Sequence, residues 1–171
     1  TVTGAVVEDG PTSASGTLSV ADPDAGQAVF QTPAPEALAG TYGAFAFDPA
    51  TGVWSYALDA AKADPLTAGQ VVHDTLTVTS LDGTASQVID VTITGSNDAA
   101  SITGTVTGAV VEDGPTSASG TLTITDPDTG EAAFQAPASL AGTYGAFAFD
   151  PASGAWSYAL EAAKADPLAA G

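Results

Sequence analysis

Apolar side chains recur at every second position in several short runs, the pattern of β-strands with one buried face. In TLTVT (75–79) and DVTIT (90–94), leucine, valine and isoleucine alternate with threonine or aspartate. Between these runs, LDG at 81–83 has the composition of a hairpin turn. The pattern predicts two paired strands, and we expect core strands at 76–81 and 88–94.

The aromatic residues predict a second pair of strands. FAF at 45–47 and WSYAL at 54–58 each place their large side chains on one side, and DPATG at 48–52 links them. The one predicted helical turn lies in LDAAKADPL, where Pro65 ends it. Short strands with Gly and Pro between them, in a unit of about 100 residues, predict an all-β fold built as antiparallel β-sandwiches.

An internal repeat sets the domain organisation. Residues 1–18, TVTGAVVEDGPTSASGTL, recur unchanged at 105–122, and residues 40–69 recur with few substitutions at 142–171. The offset falls from 104 to 102 residues where PAPEAL shortens to PASL, which predicts an exposed loop there. We expect a nearly complete first module at 1–98 (module one) and a second at 99–171 (module two).

Module two has no counterpart of residues 70–104 within the given sequence. Two interpretations stay open: the chain is a window cut from a longer array, or a neighbouring chain supplies the missing strands. In either case its sheets are expected to expose unpaired edges and an open core. We predict that module two is not stably folded by itself.

Charge excludes several classes of partner. Two Lys and Arg residues stand against 20 Asp and Glu, for a formal net charge of -18. Phosphate contacts to nucleic acid need clustered basic residues, so nucleic-acid binding is excluded, and docking on an anionic membrane is disfavoured. No apolar run approaches the roughly 18 residues of a membrane span, so we expect no direct membrane insertion. Without cysteine there is no disulfide framework, and divalent cations are the expected counter-ions.

Four segments together resemble a known repeat family: VEDG at 7–10, DPDAG at 22–26, YGAFAFDPATGVWSYALD at 42–59, and LTVTSLDGTASQVIDVTITGSND at 76–98. Their order and spacing resemble the VCBS repeat, a tandem cadherin-like or immunoglobulin-like module of very large bacterial surface proteins. The period is also similar to that of the extender repeats of giant calcium-dependent adhesins exported by type I secretion. The resemblance implies an extracellular, cell-surface stalk used in adhesion and biofilms, with neighbouring modules as its partners.

Calcium is the cofactor that the acidic residues predict, because it takes carboxylate, amide and carbonyl oxygens. The resemblance to cadherin-like arrays implies that Asn97 and Asp98 at the junction combine with Asp126 and Asp128 of the following module, with help from Glu112 and Asp113. The alternative is that these residues are ordinary turn formers. The candidate ligands are Glu8, Asp9, Asp22, Asp24, Asn97 and Asp98 in the first copy, and Glu112, Asp113, Asp126 and Asp128 in the second.

No arrangement of residues predicts an enzyme. His73-Asp74 lacks a nucleophile elbow, and a surface histidine on a strand is the favoured interpretation. The leading hypothesis is a structural extender, stiffened by calcium at its junctions. The first alternative is a self-assembling matrix or filament subunit whose incomplete module accepts strands from another chain. The second is a carbohydrate-binding module, which requires Trp54 and Trp156 to form an exposed platform, whereas their spacing favours core positions.

Overall fold

The regular structure of the chain consists mainly of β-strands, as seen in a computed structural model that describes residues 1–167. Two structural units are present, Thr1–Asp98 and a second that starts at Ala99. Each unit is described by itself. Within residues 1–167, no helix has the length and apolar character needed to cross a membrane.

Module one is a sandwich of two three-stranded sheets. In one sheet the order is β1-β6-β5, and in the other it is β2-β4-β3. The pair β1 and β6 is parallel, and the remaining neighbours are antiparallel. A 3₁₀ turn at Pro35–Leu38 precedes β3, and a helical turn, α1 (Ala60–Ala63), follows β4. The strands are β1 (Val2–Val7), β2 (Ser13–Thr17), β3 (Gly43–Phe47), β4 (Val53–Leu58), β5 (Val71–Thr79) and β6 (Ser86–Thr94).

The core of module one lies between these sheets and follows the predicted alternation. Leu76 and Val78 on β5 are buried, as are Val91 and Ile93 on β6, while the residues between them are more exposed. From the other sheet, Trp54 packs into the same core. The predicted antiparallel pair is therefore confirmed, although β5 begins earlier than expected, at Val71, and β6 begins at Ser86.

The link between β3 and β4 is a tight turn held by Asp48. Its carboxylate accepts hydrogen bonds from the Thr51 hydroxyl (2.6 Å) and the Ala50 N–H (2.9 Å). Gly52 closes the turn at φ +70°, and a side chain there would collide with the Leu18 carbonyl oxygen. Glycine is thus required here for both its backbone angle and its size.

Module two forms a single four-stranded sheet within the described residues, in the order β7-β8-β10-β9. Residues 105–111 copy the sequence of β1 and yet form no strand. In module one, β1 is held by the ladder to β6, whereas residues 105–111 pair with no strand within residues 1–167. The elements are β7 (Ser101–Gly104), β8 (Ser117–Thr125), β9 (Gly145–Asp150), β10 (Ala155–Leu160) and the helical turn α2 (Ala162–Ala165).

Candidate metal centre

Two acidic residues meet where β1 and β6 end. Because these strands run parallel, with Val7 opposite Thr94, both finish at the same edge of the sheet. The N–H of Glu8 donates to the Thr94 carbonyl at 3.1 Å, which fixes the start of the loop that follows β1. Glu8 and Asp98 are far apart in sequence, and this parallel pairing brings them together.

A third acidic residue, Asp64, reaches the same edge from α1. Its N–H donates to the Ala60 carbonyl at 2.8 Å and caps the helical turn. Leu66 is buried and lies against the chain after β6, since a Cβ added to Gly95 would stand 2.8 Å from Leu66 Cβ. Packing of α1 onto the core thus positions the Asp64 carboxylate.

The three carboxylates form one compact group, which we call the acidic pocket (Glu8, Asp64 and Asp98). One oxygen from each lies within 4.8 Å of the others. Glu8 is buried, Asp98 is partly buried and Asp64 is exposed. Within residues 1–167, this is the one group of three or more His, Asp or Glu side chains with ligand atoms this close together.

Within the acidic pocket, Glu8 has a pKa that departs from its usual value. Its Oε2 accepts a hydrogen bond from the Ser96 N–H at 2.8 Å, whereas Oε1 is buried and accepts none from the described residues. Burial raises the pKa of Glu8 above its usual value; the Ser96 hydrogen bond lowers it, and the charges of Asp98, Asp9 and Asp64 raise it further. A buried carboxylate oxygen without a donor is costly unless a cation binds it.

The donor set fits a hard divalent cation. All three side chains offer carboxylate oxygens, which are the preferred ligands of Ca²⁺, and the pocket contains neither imidazole nor thiolate. Two like charges about 4 Å apart repel by roughly 4 kcal/mol at an effective dielectric constant near 20. A bound cation would remove this repulsion and give Glu8 Oε1 a partner.

The chain is similar to cadherin ectodomains. It is 19% identical, with a TM-score of 0.46, to "Protocadherin gammaB7 EC3-6 cis-dimer structure", covering 94% of this chain and 37% of that one. For "Protocadherin Gamma B2 extracellular cadherin domains 1-5" the identity is 15%, the TM-score 0.46 and the coverage 94% and 31%. For "PcdhgB3 EC1-4 in 50 mM HEPES" the identity is 16% and the TM-score is 0.46, and the match covers 94% of this chain and 39% of that one.

The chain thus spans between 31% and 39% of the length of these three structures. The likeness concerns the fold and implies no function. No family profile matches the sequence. No curated protein matches it either.

Of the ten predicted ligands, the structure brings two, Glu8 and Asp98, into the acidic pocket. Asp9 is exposed beside it and contributes charge. Asn97 is exposed, and its side-chain amide donates to the Asp98 carbonyl at 2.7 Å.

The other predicted ligands lie in turns, and their metal binding stays a prediction. The Asp24 N–H donates to Asp22 Oδ1 at 2.8 Å. In the second copy, the Asp128 N–H donates to Asp126 Oδ1 at 2.9 Å, and Asp128 is buried. Glu112 and Asp113 lie in the turn that precedes β8.

Sequence reasoning missed Asp64. The one signal available was the repeat itself, because Asp166 occupies the same place in module two and caps α2 in the same way. An Asp-Pro pair is ordinary at the end of a helical turn, so this signal pointed to a turn and gave no indication of a ligand.

Module one offers no sugar platform at the predicted aromatic residues. Trp54 and Tyr56 are each 1% exposed and belong to the core. His73 is exposed on β5, as expected, and its Nδ1 forms a 2.8 Å hydrogen bond with Asp90. Trp54 and Tyr56 thus occupy core positions, as their spacing favours.

Proposed function

We propose that this chain is part of a non-enzymatic extracellular stalk, a VCBS-type extender of a bacterial surface adhesin, whose module ends are stiffened by calcium. The repeat supports a spacer, because residues 1–18 and 105–122 are identical and such copies perform the same task at each position. The acidic pocket supports the calcium dependence. The observation that carries the proposal is the buried, unpartnered Oε1 of Glu8 among two further carboxylates.

The stiffening follows from which segments the pocket joins. Glu8 belongs to the loop after β1, Asp64 to the end of α1, and Asp98 to the segment through which the chain continues into module two. A cation bound by all three would tie that outgoing segment to two elements of the module. In the absence of the cation, mutual repulsion of the carboxylates would loosen it.

The experiment is thermal unfolding of the full chain in calcium, in magnesium and in excess chelator. A ligand that binds only the folded state adds about 4 kcal/mol at a thousandfold excess over its Kd. We expect calcium to raise the Tm of module one and magnesium to have a much smaller effect, because Mg²⁺ demands stricter geometry and dehydrates reluctantly.

Asp64→Asn is the informative variant, and Asp166→Asn is its matched control, since both residues cap the same helical turn in the two modules. The first substitution should abolish most of the calcium effect, and the second should leave it intact. An equal calcium response in the two variants, or none in the unmodified chain, would contradict the metal centre.

Stalk stiffening needs its own measurement. Small-angle scattering of the full chain should give a larger maximum dimension in calcium than in chelator, and Asp64→Asn should lose the difference. Calcium binding without any change in dimension would retain the site and reject the mechanical role.

A further inference from the structure

Exposed turns of the chain contain three Asp-Gly pairs: Asp9-Gly10, Asp82-Gly83 and Asp113-Gly114. Such a pair can rearrange without an enzyme, because glycine has no Cβ to shield its main-chain nitrogen from the preceding carboxyl group. The three pairs differ in how firmly the surrounding atoms hold that carboxyl group, so they differ in how readily they rearrange.

The rearrangement conserves atoms and consumes no reagent other than water. The main-chain nitrogen of glycine attacks Cγ of the aspartic acid and loses its proton, and the side-chain hydroxyl leaves as water, which closes a succinimide ring. Water then opens the ring at either carbonyl. Cleavage of the new N–C bond restores aspartate, whereas cleavage of the original peptide bond gives isoaspartate, in which the main chain runs through Cβ and Cγ.

Asp82 is held back by two hydrogen bonds. Its Oδ1 accepts from the Ser80 hydroxyl at 2.6 Å and from the Thr84 N–H at 3.1 Å. Both bonds must break before Cγ can turn toward the Gly83 nitrogen. The hydrogen bond from Ser80 is also the largest cause of the lowered pKa of Asp82. A lowered pKa reduces the share of the neutral acid, which is the form whose hydroxyl can leave.

Asp9 has no such restraint on its carboxylate. It is exposed in the turn that the Gly10 N–H closes on the Val7 carbonyl at 3.1 Å, and its carboxylate accepts no hydrogen bond within residues 1–167. The matching hydrogen bond from the Gly83 N–H to the Ser80 carbonyl is 2.9 Å long. Freeing the glycine nitrogen therefore costs a similar amount in both turns, and the carboxyl group makes the difference.

The repeat supplies a second copy of the unrestrained turn. The Gly114 N–H donates to the Val111 carbonyl at 3.2 Å. Asp113 is exposed, and in the described part of the chain its carboxylate accepts no hydrogen bond. The local sequence is Glu-Asp-Gly-Pro at both places. Two unrestrained sites can thus be compared with one restrained site in the same molecule.

We propose that Asp9 and Asp113 are modification sites that convert spontaneously to isoaspartate through a succinimide. Asp82 is protected, because Ser80 and Thr84 hold its carboxylate.

Conversion at Asp9 changes the loop that follows β1. The turn is closed by the hydrogen bond from the Gly10 N–H and by a second one from the Val7 N–H to the Pro11 carbonyl, at 3.0 Å. Isoaspartate adds an atom to the main chain between these partners, so the two bonds no longer fit the turn, and the loop opens.

The test is incubation of the full folded chain at body temperature and mildly acidic pH, followed by digestion with pepsin and mass spectrometry. Isoaspartyl peptides have the mass of the original peptides and elute separately, and an isoaspartyl methyltransferase labels them. We expect the isoaspartate fraction at Asp9 and Asp113 to exceed that at Asp82 at least about tenfold, because hydrogen bonds to a charged group must break at Asp82. Equal fractions at Asp9 and Asp82 would overturn the proposal.

Ser80→Ala tests the cause of the protection. It removes the hydroxyl donor and should raise the rate at Asp82 while leaving the rate at Asp9 unchanged. Thr51→Ala is the matched control, because it removes a hydroxyl donor from Asp48, which precedes a proline and cannot close the ring. It should change none of the three rates, and an unchanged rate at Asp82 in Ser80→Ala would contradict the protection.

Incubation in concentrated urea separates the effect of the fold from that of the local sequence. All three pairs should then react at similar rates, since Asp82 has lost its donors. A difference between Asp9 and Asp82 that persists in urea would assign it to the neighbouring residues and defeat the structural argument. Isoaspartate that forms in urea alone would show that folding protects all three pairs, and the proposal would be wrong.

Discussion

At the scale of single residues, Glu8 is the side chain that a cation in the acidic pocket would affect most. Its carboxylate is buried beside Asp64 and Asp98, and burial raises its pKa. We expect Glu8→Gln to leave the Tm in chelator unchanged or higher, because a buried charge among like charges is removed while an acceptor for the Ser96 N–H is kept. In calcium the same variant should have a lower Tm than the original chain.

The measurement is a pair of melting curves for Glu8→Gln, with Asp9→Asn as the control, since Asp9 is exposed next to the pocket. A fall of the Tm by the same amount in both conditions would mean that Glu8 is a structural residue and no calcium ligand.

Three aspartates in turns should make the fold acid-sensitive. The pKa values of Asp48, Asp82 and Asp150 are lowered in the folded chain. In each case the largest cause is a hydrogen bond from a side chain, and hydrogen bonds from backbone N–H groups lower the pKa further. Their stabilising contribution is complete above the unfolded value of about 3.9. It is lost as the pH falls through the lowered folded values.

The pH dependence of urea unfolding, followed down from pH 5, checks this sign. The combined variant with asparagine at Asp48, Asp82 and Asp150 should lose stability less steeply with acid than the original chain. Asp113→Asn, whose residue forms no such hydrogen bond among those described, should keep the original slope. A slope unaffected by the combined variant would refute the assignment.

A candidate ligand could be predicted only where the sequence around it marks its position. Asp98 follows a run of alternating residues, and Glu8 lies within a segment that is repeated letter for letter, so both are visible in the sequence. Asp64 is a ligand candidate only because Leu66 is buried and holds α1 at the edge of the sheet. That is a tertiary contact, and a single Asp-Pro pair does not encode it.

At the scale of the elements, strand alternation predicted the central hairpins, and the all-β fold is confirmed. The parallel pairing of β1 with β6 was not predicted. β1 contains Gly4 where a larger side chain would have marked its inner face, and its partner lies at the other end of the module. The same dependence on a distant partner explains why residues 105–111 are not a strand, despite their identical sequence.

Asp74 joins three elements: its own strand β5, the loop before β3, and strand β4, which carries Tyr56. We expect Asp74→Ala to destabilise module one by about 3 kcal/mol, because it leaves two backbone N–H groups and the Tyr56 hydroxyl without their buried acceptor. Asp90→Ala on the neighbouring strand is the control, and its effect should be much smaller. Urea unfolding measures both, and similar losses would argue against a special role for Asp74.

At the scale of the whole molecule, the two modules should differ in stability despite their shared sequence. Module one buries Trp54 and Phe45 between two sheets, whereas their counterparts Trp156 and Phe147 are partly exposed on a single sheet. Local opening is easier where few apolar contacts are buried. We therefore expect amides of β8 and β10 to exchange with solvent much faster than those of β5 and β6.

Hydrogen exchange followed by mass spectrometry checks this difference in the full chain at neutral pH. Equal protection of the two modules would show that the single sheet of module two is as resistant to opening as the two-sheet sandwich of module one.

The scarcity of basic residues has a consequence for proteolysis. Lys62 and Lys164 are the chain's whole complement of Lys and Arg, and they lie in α1 and α2. Trypsin therefore has one possible cut in each module, and each cut requires its helical turn to unfold. Lys62 precedes Asp64 by two residues, so an ion in the acidic pocket would protect the first site and leave the second as vulnerable as before. A digest of this one chain would thus report separately how often α1 and α2 unfold, and the cut at Lys62 alone should slow when the acidic pocket holds an ion.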